Sequence, residues 1–271
     1  MTESVLTKAI LAARDLGRPA LIPFLTGGYP DRPRFLSALA DLDRSGADVI
    51  EIGVPFSDPV ADGPVVAAAG LAALEGGVDL KSILADLTDL RLRAPLVLMS
   101  YANPLVQYAW DRTPPGDPLA ARVLASLRRL AQAAKEARIA GFIVPDVPLE
   151  EAGPFHAALS EAGLDLIPLV GPNTTLERMR EYSAVAGGYA YVVSVLGTTG
   201  VREGLPPETL DTLARAREAF RLPLALGFGL QNPSQLTALG ARPDAVIIGS
   251  ALLKHLAGGG SAAGFLAPWT S

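Results

Sequence analysis

The sequence contains no cysteine, and only two of its 271 residues are histidines, His156 and His255. The absence of cysteine excludes disulfide bonds, thiolate metal sites and cysteine nucleophiles. Two histidines are too few for a histidine-rich metal site, and they also argue against a Ser-His-Asp triad. Both lie on predicted helices away from the strand ends, where we expect solvated or capping roles.

The sequence also lacks an excess of positive charge and a long apolar run. Lys and Arg number 23 against 28 Asp and Glu, a formal net charge of −5, which argues against nucleic acid as the main partner because phosphates require a basic surface. No run of 18 apolar residues occurs, so we expect no membrane span. Residues 1–18 mix charged and apolar side chains, which predicts an amphipathic helix rather than a signal peptide and hence a cytoplasmic location.

Short apolar runs alternate with longer helical patterns along the chain. Hydrophobic residues make up 49% of it, enough for a large core. Most of the runs are continuously apolar, as in strands that a parallel sheet buries on both faces. The predicted strands are residues 20–25, 49–52, 96–99, 141–144, 164–168, 189–193, 222–226 and 245–248.

The segments between these runs have the spacing of amphipathic helices. In residues 31–45, Phe35, Leu39 and Leu42 recur at three- and four-residue intervals, and Gly46 provides a stop. Residues 119–137, 149–162 and 207–219 follow the same pattern. Eight strands joined by helices predict an α/β fold, a single-domain TIM (β/α)8 barrel over residues 1–271 with an extra N-terminal helix. An open doubly wound sheet is the alternative, although no glycine fingerprint follows the first strand.

Two stretches interrupt this pattern. Residues 111–118 (DRTPPGDP) are rich in Pro and Asp and predict a surface loop. Residues 258–264 (GGGSAAG) predict a flexible stretch near the C-terminus.

Catalytic groups of such barrels lie at the carboxyl ends of the strands, which directs attention to the residues after the second run. Glu51 interrupts a β-branched run, and a carboxylate on a barrel strand is costly unless it is paired or used. It is either a structural group bonded to a backbone donor or a group whose raised pKa lets it exchange a proton near neutral pH. Asp58 and Asp62 follow in a loop where Asp is also a common turn residue.

Glycine-rich segments follow the last three strands, at residues 194–200, 227–230 and 249–252. Bare backbone N–H groups, a hydroxyl and the start of a short helix can hold a phosphate dianion, and barrels often bind phosphate after strands seven and eight. Tight strand-to-helix turns also favour glycine. Several large side chains near strand ends form either an apolar pocket for a flat ligand or ordinary core: Phe24, Met99, Tyr101, Tyr191 and Phe228.

The stretch 51–64 (EIGVPFSDPVADGP) closely resembles the signature of the tryptophan synthase alpha subunit family. Further segments agree with that family in the same order, and the similarity extends from about residue 5 to residue 257. They are residues 23–30, 99–104, 144–148, 227–229 and 249–251. The long signature is specific, whereas the glycine-containing segments alone are not.

The resemblance implies a barrel lyase of tryptophan biosynthesis that cleaves indole-3-glycerol phosphate to indole and glyceraldehyde 3-phosphate. This retro-aldol reaction needs no cofactor. The resemblance also implies a β subunit that uses pyridoxal phosphate, an αββα heterotetramer, and passage of indole through a tunnel between the subunits.

The same resemblance implies a role for each candidate residue. Glu51 matches the catalytic proton shuttle, and Asp62 matches the carboxylate that accepts a hydrogen bond from the indole N–H. Residues matching the phosphate site are Thr199, Gly200, Gly229, Gly249 and Ser250. Those matching the walls of the indole pocket are Phe24, Met99, Tyr101, Tyr191 and Phe228. Pro55, Phe56 and Asp58 match a loop that faces the β subunit, and residues 197–205 match a mobile loop that closes over the site.

Several features depart from the family pattern. Ala67 and Gly70 replace polar residues that are common after the signature, and residues 110–118 resemble an insertion. The end after His255 is short and Gly-rich where many members have a longer final helix. Two alternatives stay open: another phosphosugar barrel enzyme, such as an isomerase or epimerase, and a non-enzymatic subunit that only activates a β partner.

Overall fold

The computed structural model describes residues 3–194, 207–227, 229–237 and 243–270. Its strands form one parallel sheet in the order β5-β4-β3-β2-β1-β9-β8-β7-β6. The strands are β1 Ala20–Thr26, β2 Ile50–Gly53, β3 Leu96–Met99, β4 Ile139–Ile143, β5 Asp165–Ile167, β6 Leu169–Val170, β7 Ala190–Val193, β8 Leu224–Gly227 and β9 Ala245–Ile248. The predicted barrel is confirmed, and the open doubly wound sheet is wrong.

The two ends of this strand order meet at Pro168. Strands β5 and β6 flank this residue; β5 lies within the predicted strand 164–168, and β6 extends beyond its predicted end. Proline has no N–H to donate to a ladder, so the strand is interrupted there. The carbonyl of Pro168 still accepts the N–H of Tyr191 at 3.0 Å, and the carbonyl of Leu166 accepts that of Gly187 at 2.9 Å. These bonds close the sheet into a barrel.

Helices cover the outside of the barrel, and a large apolar core lies between them and the outward-facing strand residues. The helices are α1 Val5–Asp15, α2 Arg32–Arg44, α3 Pro64–Glu75, α4 Leu80–Thr88, α5 Ala102–Gln107, α6 Leu119–Glu136, α7 Gly153–Ala162, α8 Leu176–Ser183, α9 Pro207–Ala219, α10 Ser234–Thr237, α11 Ser250–Ala257 and α12 Ala262–Thr270. None of the described helices combines the length and apolar character needed to cross a membrane.

The predicted helix 149–162 is wrong in its first turn. Residues Leu149–Glu151 form a separate 3-10 turn, and α7 begins at Gly153 with a proline in its first turn. That proline lacks the N–H that a continuous helix would need, and its ring would clash with a carbonyl of the preceding turn.

The predicted N-terminal helix is confirmed as α1, and it closes the amino-terminal end of the barrel. Its residues Leu6, Ile10 and Ala13 are buried against interior side chains from the first residues of several strands. Thr7 Oγ1 donates to the carbonyl of Gly188 at 2.6 Å, which fixes the helix beneath the sheet. Any ligand site inside the barrel must therefore open at the carboxyl-terminal end.

The C-terminal segment is more ordered than predicted. The prediction of a flexible stretch over residues 258–264 is wrong from Ala262 onward. Helix α12 begins at Ala262 and buries Leu266 and Trp269, with α2 packed beside it. The predicted surface loop 111–118 is confirmed, because most of its residues are exposed. Within it Thr113 is buried, and Trp110–Arg112 form a 3-10 turn at its start.

Candidate active site

Glu51 points into the barrel from the middle of β2. Strand residues alternate between faces, so Ile50 and Ile52 pack outward while Glu51 and Gly53 face inward. Glu51 pairs in register with Phe24 on β1 and Val97 on β3, and it is 1% exposed. Its Oε2 has no hydrogen-bond partner among the described residues. The geometry offers no partner that would make this oxygen a structural anchor.

Burial, together with the smaller effect of the nearby negative charge of Asp62, raises the pKa of Glu51 to about 8. An ionised carboxylate loses its hydration inside the barrel, so the neutral acid is favoured. The carboxyl group therefore holds a proton at pH 7 and is close to the point at which it can release it. Such a group can act in turn as a general acid and a general base.

Asp62 lies on the loop between β2 and α3, at the mouth of the barrel. Burial raises the pKa of its carboxyl group, while a hydrogen bond from Tyr101 lowers it. The electrostatic effect of Asp62 on Glu51 shows that the structure brings the two predicted carboxyl groups together. Asp58 behaves differently: it is exposed and accepts a hydrogen bond from Ser57 Oγ at 2.5 Å, as a turn residue does.

An open cavity of about 350 Å³ lies beside Asp62 at the carboxyl ends of β1, β2 and β3, and Glu51 is not among the residues that line it. Three of the predicted indole-pocket residues line it, and so do loop residues 54–56. The lining comprises Phe24, Thr26, Gly53, Val54, Pro55, Phe56, Pro59, Asp62, Val66, Ala67, Gly70, Met99, Ser100 and Tyr101. The substitutions at Ala67 and Gly70 thus make one wall of this cavity apolar.

Thr26 is a polar lining residue that sequence reasoning missed. It follows Phe24 on the inward face of β1, it is 2% exposed, and its Oγ1 has no hydrogen-bond partner among the described residues. A polar residue in the inward register of an otherwise apolar strand is the signal that could have found it. Its hydroxyl is available to a molecule in the cavity.

Glycines make room for the aromatic walls. A Cβ on Gly53 would lie 2.5 Å from the ring of Phe24, and one on Gly249 would lie 3.3 Å from the same ring. A Cβ on Gly227 would lie 2.5 Å from the hydroxyl of Tyr191. Burial, with the charges of Glu51 and Asp62, raises the pKa of Tyr191, so this phenol is neutral beside both carboxyl groups.

Replacing Gly53 with Ala is expected to displace the ring of Phe24, because the added methyl group has no space. We expect kcat/KM for the substrate that the sequence resemblance implies to fall about 10-fold or more, since small misplacements at a reacting centre are costly. Steady-state turnover of that substrate measures it. Gly63→Ala is the matched control, because a Cβ there meets no atom within 4 Å; equal effects of the two substitutions would contradict the steric explanation.

The predicted phosphate residues are only partly described. Gly229 is exposed and has φ +67°, while Gly249 and Ser250 precede and begin α11 after the neighbouring strand β9. Of these residues, Gly249 lies beside the cavity-lining ring of Phe24, and phosphate binding at all three stays a prediction. Thr199, Gly200, Phe228 and the loop 197–205 lie outside the described residues.

Residues of the predicted partner-facing loop lie at the outer edge of the cavity. Pro55 is buried, and Phe56 is half-buried with its ring stacked on Tyr101 at 4.9 Å between centroids. Among the described residues, no group of acidic or histidine side chains is arranged to hold a metal ion.

Comparison with known proteins identifies the family. The family profile described as "Tryptophan synthase alpha chain" matches residues 11–263. A tryptophan synthase alpha chain of Nitratidesulfovibrio vulgaris is 55% identical over 271 residues, covering 99% of both chains. One of Desulfovibrio desulfuricans is 53% identical over 98% of this chain and 99% of the relative.

Solved structures show the same fold. Tryptophan synthase of M. tuberculosis aligns with a TM-score of 0.84 at 32% identity, covering 99% of this chain and 97% of that one. The alpha subunit of Legionella pneumophila aligns with a TM-score of 0.83 at 28% identity, with coverages of 99% and 97%. A tryptophan synthase complex of Pyrococcus furiosus aligns with a TM-score of 0.77 at 31% identity, with coverages of 91% and 94%. The chain therefore belongs to the tryptophan synthase alpha chain family, and it is a carbon–carbon lyase that cleaves indole-3-glycerol phosphate in tryptophan biosynthesis.

Proposed function

We propose that Glu51 and Asp62 together carry out this cleavage, which yields indole and glyceraldehyde 3-phosphate. The observation that carries the proposal is the buried Glu51 carboxyl group, with its pKa raised to about 8, beside a second carboxyl group at the mouth of a barrel that is closed at its other end. Glu51 is more deeply buried than Asp62. This difference suits Glu51 to proton transfer and Asp62 to binding a polar N–H.

Glu51 moves a proton in both directions. The protonated carboxyl group donates its proton to indole C3, which places positive charge on the ring nitrogen. The resulting carboxylate then takes the proton of the hydroxyl group on the adjacent glycerol carbon. As that oxygen becomes the aldehyde, the bond from this carbon to C3 breaks and its electron pair returns to the ring. Glu51 ends protonated, so the cycle is balanced without another reactant.

Asp62 accepts a hydrogen bond from the indole N–H. That bond strengthens as positive charge develops on the nitrogen, so it stabilises the transition state more than the bound substrate. The partial exposure of Asp62 keeps its carboxyl group easier to ionise than that of Glu51, as this role requires.

The substrate's phosphate anchors the molecule on the opposite side of the mouth. Backbone N–H groups at Gly229, Gly249 and Ser250 hold it, together with Thr199 and Gly200 from outside the described residues. Phe24, Met99, Tyr101, Tyr191 and Phe228 enclose the indole ring. Anchoring the phosphate places C3 within reach of Glu51, which lowers the entropy cost of the reaction.

Proton transfer and carbon–carbon cleavage of this kind require no cofactor in this chain. We propose a β subunit that carries pyridoxal phosphate as the partner, in an αββα heterotetramer, with Pro55, Phe56 and Asp58 facing it. The similarity to a chain of a tryptophan synthase complex supports a partner of this kind. We further propose that residues 1–271 act as one domain in the cytoplasm.

The activity is expected to fall at alkaline pH. The reaction starts from protonated Glu51, whose pKa is raised from 4.5 to about 8, so the active form persists at neutral pH and is lost as the pH rises through about 8. The dependence of kcat/KM on pH measures this group in the free enzyme. A rate that stays constant from pH 7 to pH 10 would contradict the assignment.

The experiment that tests the function as a whole is indole release by the purified chain, measured with and without a β subunit. Indole formation from indole-3-glycerol phosphate by the chain supports the proposal. An isomerase or epimerase would release none, and a purely regulatory subunit would stimulate its partner while forming none itself.

A further inference from the structure

Tyr101 makes contacts that a simple pocket wall would not need. It lies two residues after the end of β3 and directly before α5, and only 3% of it is exposed. Its Oη accepts the N–H of Ala61 at 2.9 Å, and its hydroxyl group lowers the pKa of the neighbouring Asp62 carboxyl group. One phenol therefore holds the backbone of the loop that follows β2 directly beside Asp62.

The ring of Tyr101 contacts that loop at a second point. It stacks on Phe56 with an interplanar angle of 29°. The loop is therefore held near both of its ends, at Phe56 and at Ala61–Asp62, by one side chain.

The backbone around Tyr101 is itself fixed to the next strand and its loop. The N–H of Ser100 donates to the carbonyl of Ile143 at 3.0 Å, and the N–H of Ala102 donates to the carboxylate of Asp146 at 2.9 Å. The phenol thus extends from a rigid support, and its position is not set by the loop that it holds.

The part of helix α3 that lines the cavity offers Asp62 no alternative donor. Helix α3 presents Val66, Ala67 and Gly70 there, none of which has a hydrogen-bonding side chain, and a Cβ on Gly70 would meet open space. Of the described side chains, the phenol of Tyr101 is the one whose hydrogen bonding lowers the pKa of this carboxyl group.

We propose that Tyr101 is a positioning residue, which holds the Asp62 carboxyl group in the orientation that receives the indole N–H. This inference rests on the proposed role of Asp62 and adds the group that makes that role possible. Tyr101 acts through Asp62 and not on the reacting atoms.

The charges around Asp62 define the expected pH effect. Glu51 on β2 and Tyr191 on β7 face it, Tyr101 lies beside it, and Asp146 acts on Tyr101 from the loop after β4. Glu51 and Tyr191 remain neutral at pH 7, so the phenol of Tyr101 is the group that favours the ionised form of Asp62. Without it, the pKa of Asp62 is raised further.

The test is Tyr101→Phe, which keeps the ring and its stacking on Phe56. We expect kcat for indole release to fall roughly 10- to 100-fold, the effect of losing a hydrogen bond to a charged group, with KM changed less than about 3-fold if binding is spared. The acid limb of the kcat/KM profile should move to higher pH. The control is Tyr108→Phe, the same change at a half-buried phenol further along this segment. It should leave kcat, KM and the acid limb of the profile unchanged.

A double-mutant cycle separates this proposal from the proposed function. If Tyr101 acts through Asp62, Tyr101→Phe should change kcat less than about 2-fold in an Asp62→Asn background. A full loss in that background, or a wild-type kcat in Tyr101→Phe alone, would overturn the positioning role while leaving Asp62 in the mechanism. A wild-type kcat in Asp62→Asn would instead overturn the proposed function, and the positioning role with it.

Discussion

Replacing Glu51 with Gln is expected to abolish indole release, with kcat reduced about 10⁴-fold or more. A single general acid–base contribution is worth about 10² to 10⁴, and Glu51 serves both as the acid toward C3 and as the base toward the hydroxyl group. Glutamine has nearly the same shape but cannot exchange a proton. The measurement is indole formation from indole-3-glycerol phosphate by the purified variant, and wild-type turnover would remove Glu51 from the mechanism.

The control for this prediction is the stability of the variant. Because burial raises the pKa of Glu51 to about 8, the folded chain binds this proton more tightly than the unfolded chain does. The contribution of this group to stability is therefore full below about pH 4.5 and is lost as the pH rises through about 8. Between pH 5 and pH 8, this group should lower the wild type's free energy of unfolding in urea by about 3 kcal/mol. Glutamine does not titrate, so the variant should not show this loss. Glu161→Gln, an exposed change, should retain wild-type activity.

Replacing Asp62 with Asn is expected to lower kcat at least about 10²-fold, the low end for a lost charge-stabilising group. The amide keeps the size of the side chain but cannot supply the negative charge that meets the developing indolenine cation. The loss should appear in kcat more than in KM, because the interaction strengthens in the transition state. Single-turnover indole release measures it, with Asp89→Asn, an exposed residue at the end of α4, as the matched control. An unchanged rate would remove Asp62 from the chemistry.

The barrel was predictable because its strands are buried on both faces and therefore read as short apolar runs. Two details were not. Pro168 ends one such run, and only the hydrogen bond that its carbonyl accepts from Tyr191 shows how the sheet continues past it. Helix α12 follows a glycine-rich stretch whose composition favours flexibility. The helix is stabilised by the burial of Leu266 and Trp269, which the composition of that stretch does not indicate.

Glu51 was a candidate from the sequence because a carboxylate interrupts the second apolar run, whereas Asp62 was assigned only through the resemblance, since Asp is also a common turn residue. What the sequence could not show was their environment: the burial of Glu51, its proximity to Asp62, and the phenol that holds Asp62. Tyr101 lies 40 residues beyond Ala61, to which it is hydrogen bonded. A contact such as that between Tyr101 and Ala61 depends on which strands are adjacent in the barrel, and local residue patterns do not predict it.

The glycines show the same limit. Gly227 and Gly249 were each consistent with a turn or with phosphate binding, and Gly53 was part of the signature stretch with no role of its own. In the folded chain they also leave room for Phe24 or Tyr191, a requirement set by side chains on neighbouring elements. A glycine in a strand can mark such a close approach, but the sequence does not say which group approaches.

The central claim is that Glu51 transfers a proton to and from indole C3. The measurement that tests it most directly is exchange of the C3 hydrogen of indole for deuterium in D₂O, followed by proton NMR in the presence of glyceraldehyde 3-phosphate. The account predicts that the wild-type chain accelerates this exchange well above the rate in buffer alone and that Glu51→Gln does not. Exchange by Glu51→Gln at the wild-type rate would contradict it.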